Sequence, residues 1–187
     1  TEAAVDTALG GFHAASLTQY VVQISPFATP AMLDGWLAKR GLVPSRRWAK
    51  LWRTTEDVPT LRTDLRVERI GRDHEAAFAR IVLAAFEMPE FLAPIAAATI
   101  DRPGWSHYLT FDGDEAVGAA AMYVTENVAW LGYGSTLATH RGRGSQGALF
   151  GRRLSDAASL GARLAITETG EDTPESPNPS YRNMLRA

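Results

Sequence analysis

The chain has 187 residues, 45% of them hydrophobic, enough for one sizeable core or for one core and part of another. Its 19 basic and 21 acidic residues leave a net charge of -2, without the basic excess of a nucleic-acid-binding surface. It has no cysteine, which excludes disulfides, cysteine–zinc sites and a cysteine nucleophile and suits a reducing cytoplasm.

No apolar run approaches the roughly 20 residues of a membrane span. The opening Thr1-Glu2-Ala3-Ala4 lacks the basic-then-apolar pattern of a signal peptide. A start without methionine and a stop inside a helical pattern suggest that both ends are trimmed.

Residues 1–15 are rich in Ala and Gly and show little pattern. Residues 17–25, LTQYVVQIS, have the β-branched and aromatic content of a strand. Thr29 and Pro30 read as an N-cap and first turn. The helix they open runs over 31–40, with Met32, Leu33, Trp36 and Leu37 on one face and Gly41 as its stop. Residues 42–53 read as one or two strands, with Trp36, Trp48 and Trp52 anchoring this first lobe. A polar linker at 57–64 follows, so 1–56 and 65–187 are taken as separate lobes.

In the second lobe the spacing predicts a strand at 65–70, a helix from Asp73 to about Phe86 and a further helix at 89–100. Strands follow at 105–111, 116–124 and 128–137, with turns at 112–114 and 125–127. A helix over 145–160, a strand at 163–169, an acidic loop and a last helix from Ser180 complete the pattern. This order implies an α/β (α+β) fold, one mixed sheet with helices on both faces.

The chemistry concentrates in Arg141-Gly142-Arg143-Gly144-Ser145-Gln146-Gly147, which joins a strand to a helix. The amides that open a helix are unpaired and the dipole there favours negative charge. Glycines allow close approach to a ligand, and the arginines add positive charge. Together they form a diphosphate cradle. Gly142, Gly144 and Gly147 also match the dinucleotide spacing G-x-G-x-x-G, with Glu168 and Glu171 about 20 residues on. That match stands late in the chain, after strands that read as antiparallel. A Walker loop is excluded, because it ends in Gly-Lys-Ser/Thr and arginine stands where lysine is needed. The bland alternative is a solvated basic turn before a surface helix.

The loop resembles the Gln/Arg-x-x-Gly-x-Gly/Ala signature of the GNAT superfamily of N-acetyltransferases. Arg141 fits the first position and Gly144 the fourth, and Gln146 departs from Gly or Ala at the sixth. The resemblance covers about 65–187 and implies a mostly antiparallel sheet with a splayed strand pair, lacking its final strands. It further implies that acetyl-CoA binds with its diphosphate at Arg141, Gly142, Arg143, Gly144, Ser145, Gln146 and Gly147. Its pantetheine arm would then pair with Thr136, Leu137 and Ala138. The last helix resembles the family's closing helix, where the usual catalytic tyrosine falls at Met184. Methionine cannot donate a proton. Tyr181, one turn earlier, substitutes for it or packs, and Asn183 contacts the cofactor or caps the helix. Residues 1–56 are similar to the end of a degenerate GNAT lobe, which implies a tandem protein.

Acetyl transfer to an amine needs a general base. Glu168, at the end of the strand after the cofactor helix, is the first choice and Glu126 the second, each as easily a surface charge. His107 has a suitable intrinsic pKa, although a lone strand histidine is more often structural. The expected partner is a small-molecule or peptide amine, with no nucleic acid, membrane or metal, and a homodimer left open. A non-catalytic acyl-CoA sensor is the alternative function, and a nucleotide-dependent oxidoreductase is the third.

Overall fold

The computed structural model describes residues 1–25, 27, 31–58 and 62–186. They form two compact units, Thr1–Arg46 and Arg47–Ala187. The predicted cap at Thr29 and Pro30 lies outside the described residues, as does part of the predicted linker.

The first unit holds helices α1 (Glu2–Ala14) and α2 (Leu33–Ala38). Thr1 caps α1 by accepting the Ala4 N–H at 3.3 Å. Leu9 and Leu37 are buried, and Arg40 reaches back to Glu2 and Asp6. The sequence reading missed α1, because Gly10 and Gly11 blur its pattern, and it placed a strand at 17–25 where the chain has no regular structure. Strand-like composition makes no strand without neighbouring backbone to complete the ladder.

The second unit is built on one six-stranded sheet in the order β1-β6-β5-β4-β3-β2. The strands are β1 (Trp48–Thr54), β2 (Arg66–Ile70), β3 (Trp105–Asp112), β4 (Glu115–Thr125), β5 (Val128–Thr136) and β6 (Leu164–Gly170). Only β5 and β6 pair in parallel, joined by helix α5 (Ser145–Ser159). Helices α3 (Glu75–Ala85) and α4 (Ala93–Ala97) cover one face around Phe78, Ile81, Ile100 and Leu109. α5 covers the other, over Tyr108, Met122, Leu131, Leu149 and Leu154. Helix α6 (Pro179–Arg186) closes the chain, with Met184 packed against that second cluster. Among the described residues, no helix is long and apolar enough to cross a membrane.

One assignment changes. The strand read into a first lobe ending at residue 56 belongs to this sheet: β1 pairs antiparallel with β6 from Trp48↔Gly170 to Thr54↔Leu164. It closes an edge that β6 would otherwise leave bare. The boundary therefore falls at 46/47, and Trp48 and Trp52 are exposed on β1 rather than anchoring a separate core.

Candidate functional site

β5 and β6 pair only from Val128↔Leu164 to Leu131↔Thr167, yet β5 continues to Thr136 and β6 to Gly170. Beyond the last pair they diverge, leaving the β5 edge from Gly132 to Thr136 without a strand on that side. A bulge sets this divergence. The β4–β5 register slips between Ala119 and Ala121, and Tyr133 takes φ +56. Below the bulge Ala129 and Leu131 face α5; above it Thr136 does, its Oγ1 3.2 Å from Ser145 Oγ. The open edge, Gly132 to Thr136, thus lies before the predicted Thr136, Leu137 and Ala138 and shares only Thr136 with them. Leu137 donates its N–H to Val117 O at 2.9 Å, and Ala138 opens a single 3-10 turn, Ala138–His140.

That turn leads into the loop and the start of α5. Gly142 and Gly144 have φ +82 and +81, a region that glycine enters without strain. A Cβ on Gly144 would also collide with the Arg62 carbonyl. Thr63 Oγ1 fastens the loop from outside by donating to Arg143 O at 2.7 Å. Ala148 bonds back to Gly144, and no side chain caps α5. Among the described residues no acceptor meets the N–H groups of 142–147. Ser145 is held below by Thr110 Oγ1 at 2.8 Å, so its side chain is structural while its amide stays open. Gly118 makes this seat possible, because a Cβ there would collide with the Ser145 and Thr110 hydroxyls.

The two loop arginines differ. Arg143 is held by Asp112 and Asp64, and its guanidinium keeps both carboxyls below the usual range. His140 also approaches Asp112, at 3.4 Å. The Arg143 side chain therefore braces the loop, contrary to the expectation that it faces a ligand, and only its amide is available. Arg141 is exposed and, among the described residues, its guanidinium has no partner.

Gln146 turns its side chain toward α6. Its Nε2 donates to Ser180 Oγ and its Oε1 accepts from Asn183 Nδ2, both at 2.7 Å. The departure from Gly or Ala at this position thus leaves the Gln146 amide open. Asn183 bridges to α5, and the cap of α6 is Asn178, whose Oδ1 accepts from Ser180 and Tyr181. Among the described residues, the Tyr181 hydroxyl makes no hydrogen bond. Met184 lies on the apolar side of α6, beside Phe150 and Leu154.

Glu168 stands on β6 beyond the splay point. Ala165 faces the α5 core and Thr169 accepts from Asn178 at 3.0 Å, so alternation turns Glu168 to the other face. There it pairs with Lys50 across the β1–β6 register. Glu126 lies on the exposed turn before β5, at the opposite end of that nine-residue strand from the loop, so the structure does not bring it to the site. His107 is 1% exposed beneath Trp105 and Phe78, with Thr99 Oγ1 3.1 Å from Nε2. Burial pulls its pKa down to about 4, so it is a neutral core histidine.

The sequence reading passed over Arg153 entirely. It lies on α5 one turn after Leu149, pointing into the sheet, and is 1% exposed. Its Nε donates to Leu149 O at 3.0 Å, and Nη1 to Ala121 O and Gly132 O, each at 3.1 Å. Those last two carbonyls flank the bulge, so Arg153 supplies bonds where the ladder slips. The readable signal was a charge in line with Leu149, Leu154 and Ala157 on the buried stripe of the helix.

A splayed parallel pair beside uncapped helix amides, in an otherwise antiparallel sheet, decides the architecture. The chain has the GNAT fold. Solved structures bear this out. A GCN5-related N-acetyltransferase from Sphaerobacter thermophilus matches 83% of this chain and 52% of its own at TM-score 0.64 and 19% identity. One from Kribbella flavida matches 81% of this chain and 58% of its own at TM-score 0.58 and 20% identity. A conserved protein from Staphylococcus epidermidis matches 100% of this chain and 75% of its own at TM-score 0.61 and 11% identity. The chain thus spans 52 to 58% of the length of the first two. No family model and no curated protein matches the sequence.

Proposed function

We propose that the GNAT-fold unit binds acetyl-CoA and transfers its acetyl group to a primary amine of a small molecule or peptide. The observation that carries this reading is the row of amides at 142–147 beside the open β5 edge, unpaired among the described residues, as is the Arg141 side chain in the same loop. Backbone donors and a helix dipole suit a diphosphate, and Arg141 adds a cation with a planar donor face. The bare edge from Gly132 to Thr136 offers backbone groups to the amides of a pantetheine arm.

A bound thioester supplies an electrophilic carbonyl. The amine nitrogen bonds to that carbon, the carbon–sulfur bond breaks, and the nitrogen loses a proton while the sulfur regains one. Glu168 is our base for the first proton, directly or through water, because it lies past the splay on the face away from α5. Its carboxylate must first be shared with or released from Lys50. Tyr181 is our donor for the second, with an unengaged hydroxyl on the helix facing the start of α5. Met184, in apolar contacts, takes no part.

A second reading, an acyl-CoA-binding sensor, rests on Met184 at the usual tyrosine position and on the Lys50–Glu168 pair. Thiol release from acetyl-CoA with an amine panel separates it from the enzyme. Both require that coenzyme A raise the melting temperature and that NAD leave it unchanged, since a ligand selective for the folded state stabilises it. Stabilisation by NAD alone would move the assignment to dinucleotide chemistry, against which the antiparallel β2–β3, β3–β4 and β4–β5 pairs already stand.

A further inference from the structure

The Arg153 guanidinium has three of its donor contacts satisfied by main-chain carbonyls, while Nη2 is fully buried and has no partner among the described residues. Among the described residues no carboxylate pairs with this charge, and its neighbours include the Phe150 ring, 4.7 Å from Cζ, and the bulge. A buried donor without an acceptor costs free energy, more when it is charged. Above it lies Gly134, half-buried and in the part of β5 that β6 no longer covers. A Cβ on Gly134 would stand 3.9 Å from Arg153 Nη2 and 4.0 Å from Gln146 Nε2 and would meet nothing closer. Gln146 Nε2 has two hydrogens, one of them given to Ser180. Two side-chain donors therefore converge on an open space that exists because residue 134 has no side chain.

We propose that this space receives a carbonyl or carboxylate oxygen of the acyl-thioester ligand, held by Arg153 Nη2 with help from Gln146 Nε2. The inference rests on the acyl-CoA reading above and adds a recognition site on the α5 face of β5. The oxygen comes from an amide of the pantetheine arm or from a carboxylate on the acyl chain. The chemistry at the protein is the same in both cases: an acceptor that satisfies a buried cationic donor. Arg153 then has two duties, holding the bulge carbonyls with Nε and Nη1 and reading the ligand with Nη2.

Gly134→Ala tests this cleanly. Its φ is not in the left-handed region and its Cβ meets only ordinary contacts, so the variant keeps the melting temperature of the parent. Calorimetric titration of both proteins would use adenosine 3′,5′-bisphosphate, coenzyme A, acetyl-CoA and succinyl-CoA. The bisphosphate, which has no arm, binds both alike. Every ligand whose oxygen enters this space binds Gly134→Ala about tenfold or more weaker, the scale of one hydrogen bond to a charged group. Arg153→Lys keeps the charge, loses the fork and shows the same selective loss. A loss shared by all three arm-bearing ligands assigns the oxygen to the arm, and a loss confined to succinyl-CoA assigns it to the acyl carboxylate. Equal affinity of parent and Gly134→Ala for every arm-bearing ligand overturns the inference and leaves the acyl-CoA reading intact. Failure of the parent protein to bind coenzyme A at all overturns that reading instead.

Discussion

At the scale of single residues, neighbouring arginines of one loop divide two tasks. Arg143 is spent on Asp64 and Asp112, while the Arg141 side chain is unengaged among the described residues. Arg141→Ala should therefore weaken coenzyme A binding by about tenfold, the worth of a charge-assisted phosphate contact, without moving the melting temperature. Arg143→Ala should do the reverse: lower the melting temperature and disturb binding only through a loosened loop. Titration calorimetry and thermal melts on the two variants check this, and equal effects would refute the division. The sequence displayed both arginines but not their partners, because Asp64 and Asp112 lie 79 and 31 residues away and only the fold brings them to Arg143. His107 is a second residue whose role burial decides. Its folded pKa of about 4 lies below the ordinary 6.5, so the unfolded chain binds the proton more readily. Stability is complete above pH 6.5 and falls as pH drops toward 4, by up to about 3 kcal/mol in total. Replacing His107 with Gln should flatten that slope in denaturant titrations, and an unchanged slope would place the acid sensitivity elsewhere.

At the scale of elements, the site depends on how α5 seats on the sheet. Its first residue, Ser145, is pinned between Thr110 and Thr136, and Gly118 leaves the room. In Gly118→Ala the added methyl must displace the Ser145 and Thr110 hydroxyls, costing about 1–3 kcal/mol as an overpacked contact. The shift would also tilt the amides of 145–147, so coenzyme A affinity should fall beyond what stability alone explains. Denaturant melts and binding measured on the same sample test this; a stable variant with parental affinity would show the seat to be tolerant. The strand–loop–helix order here was legible because periodicity and glycine punctuation carry it locally. The bulge was not. In Trp130-Leu131-Gly132-Tyr133-Gly134 nothing announces that Tyr133 adopts φ +56, since Phe78 and Trp130 pack around its ring only in the folded state. Arg153 escaped notice for a related reason: its acceptors are carbonyls that become free only once the bulge forms.

At the scale of the whole molecule, the sequence reading and the contacts disagree about where the site-bearing unit begins. Composition put a boundary in the polar stretch after residue 56, a sound rule when strands pair with sequence neighbours. Here β1 pairs with β6 across 118 residues between Lys50 and Glu168, a partnership no local pattern reveals. The consequence is physical. Without β1, β6 presents a row of unpaired N–H and C=O groups along an edge that carries Ile166 and the proposed base. The Ala162 carbonyl, buried at the base of the same strand, would also lose the Thr55 hydroxyl that donates to it at 2.7 Å. A fragment beginning at Arg47 should therefore melt cooperatively and bind coenzyme A like the full chain. One beginning at Leu65 should melt lower, self-associate through the bared β6 edge and lose whatever activity depends on Glu168. Size-exclusion chromatography, thermal melts and coenzyme A titration on the two fragments decide between the boundaries. Indistinguishable behaviour would mean that β1 is an ornament on the sheet rather than its closing strand.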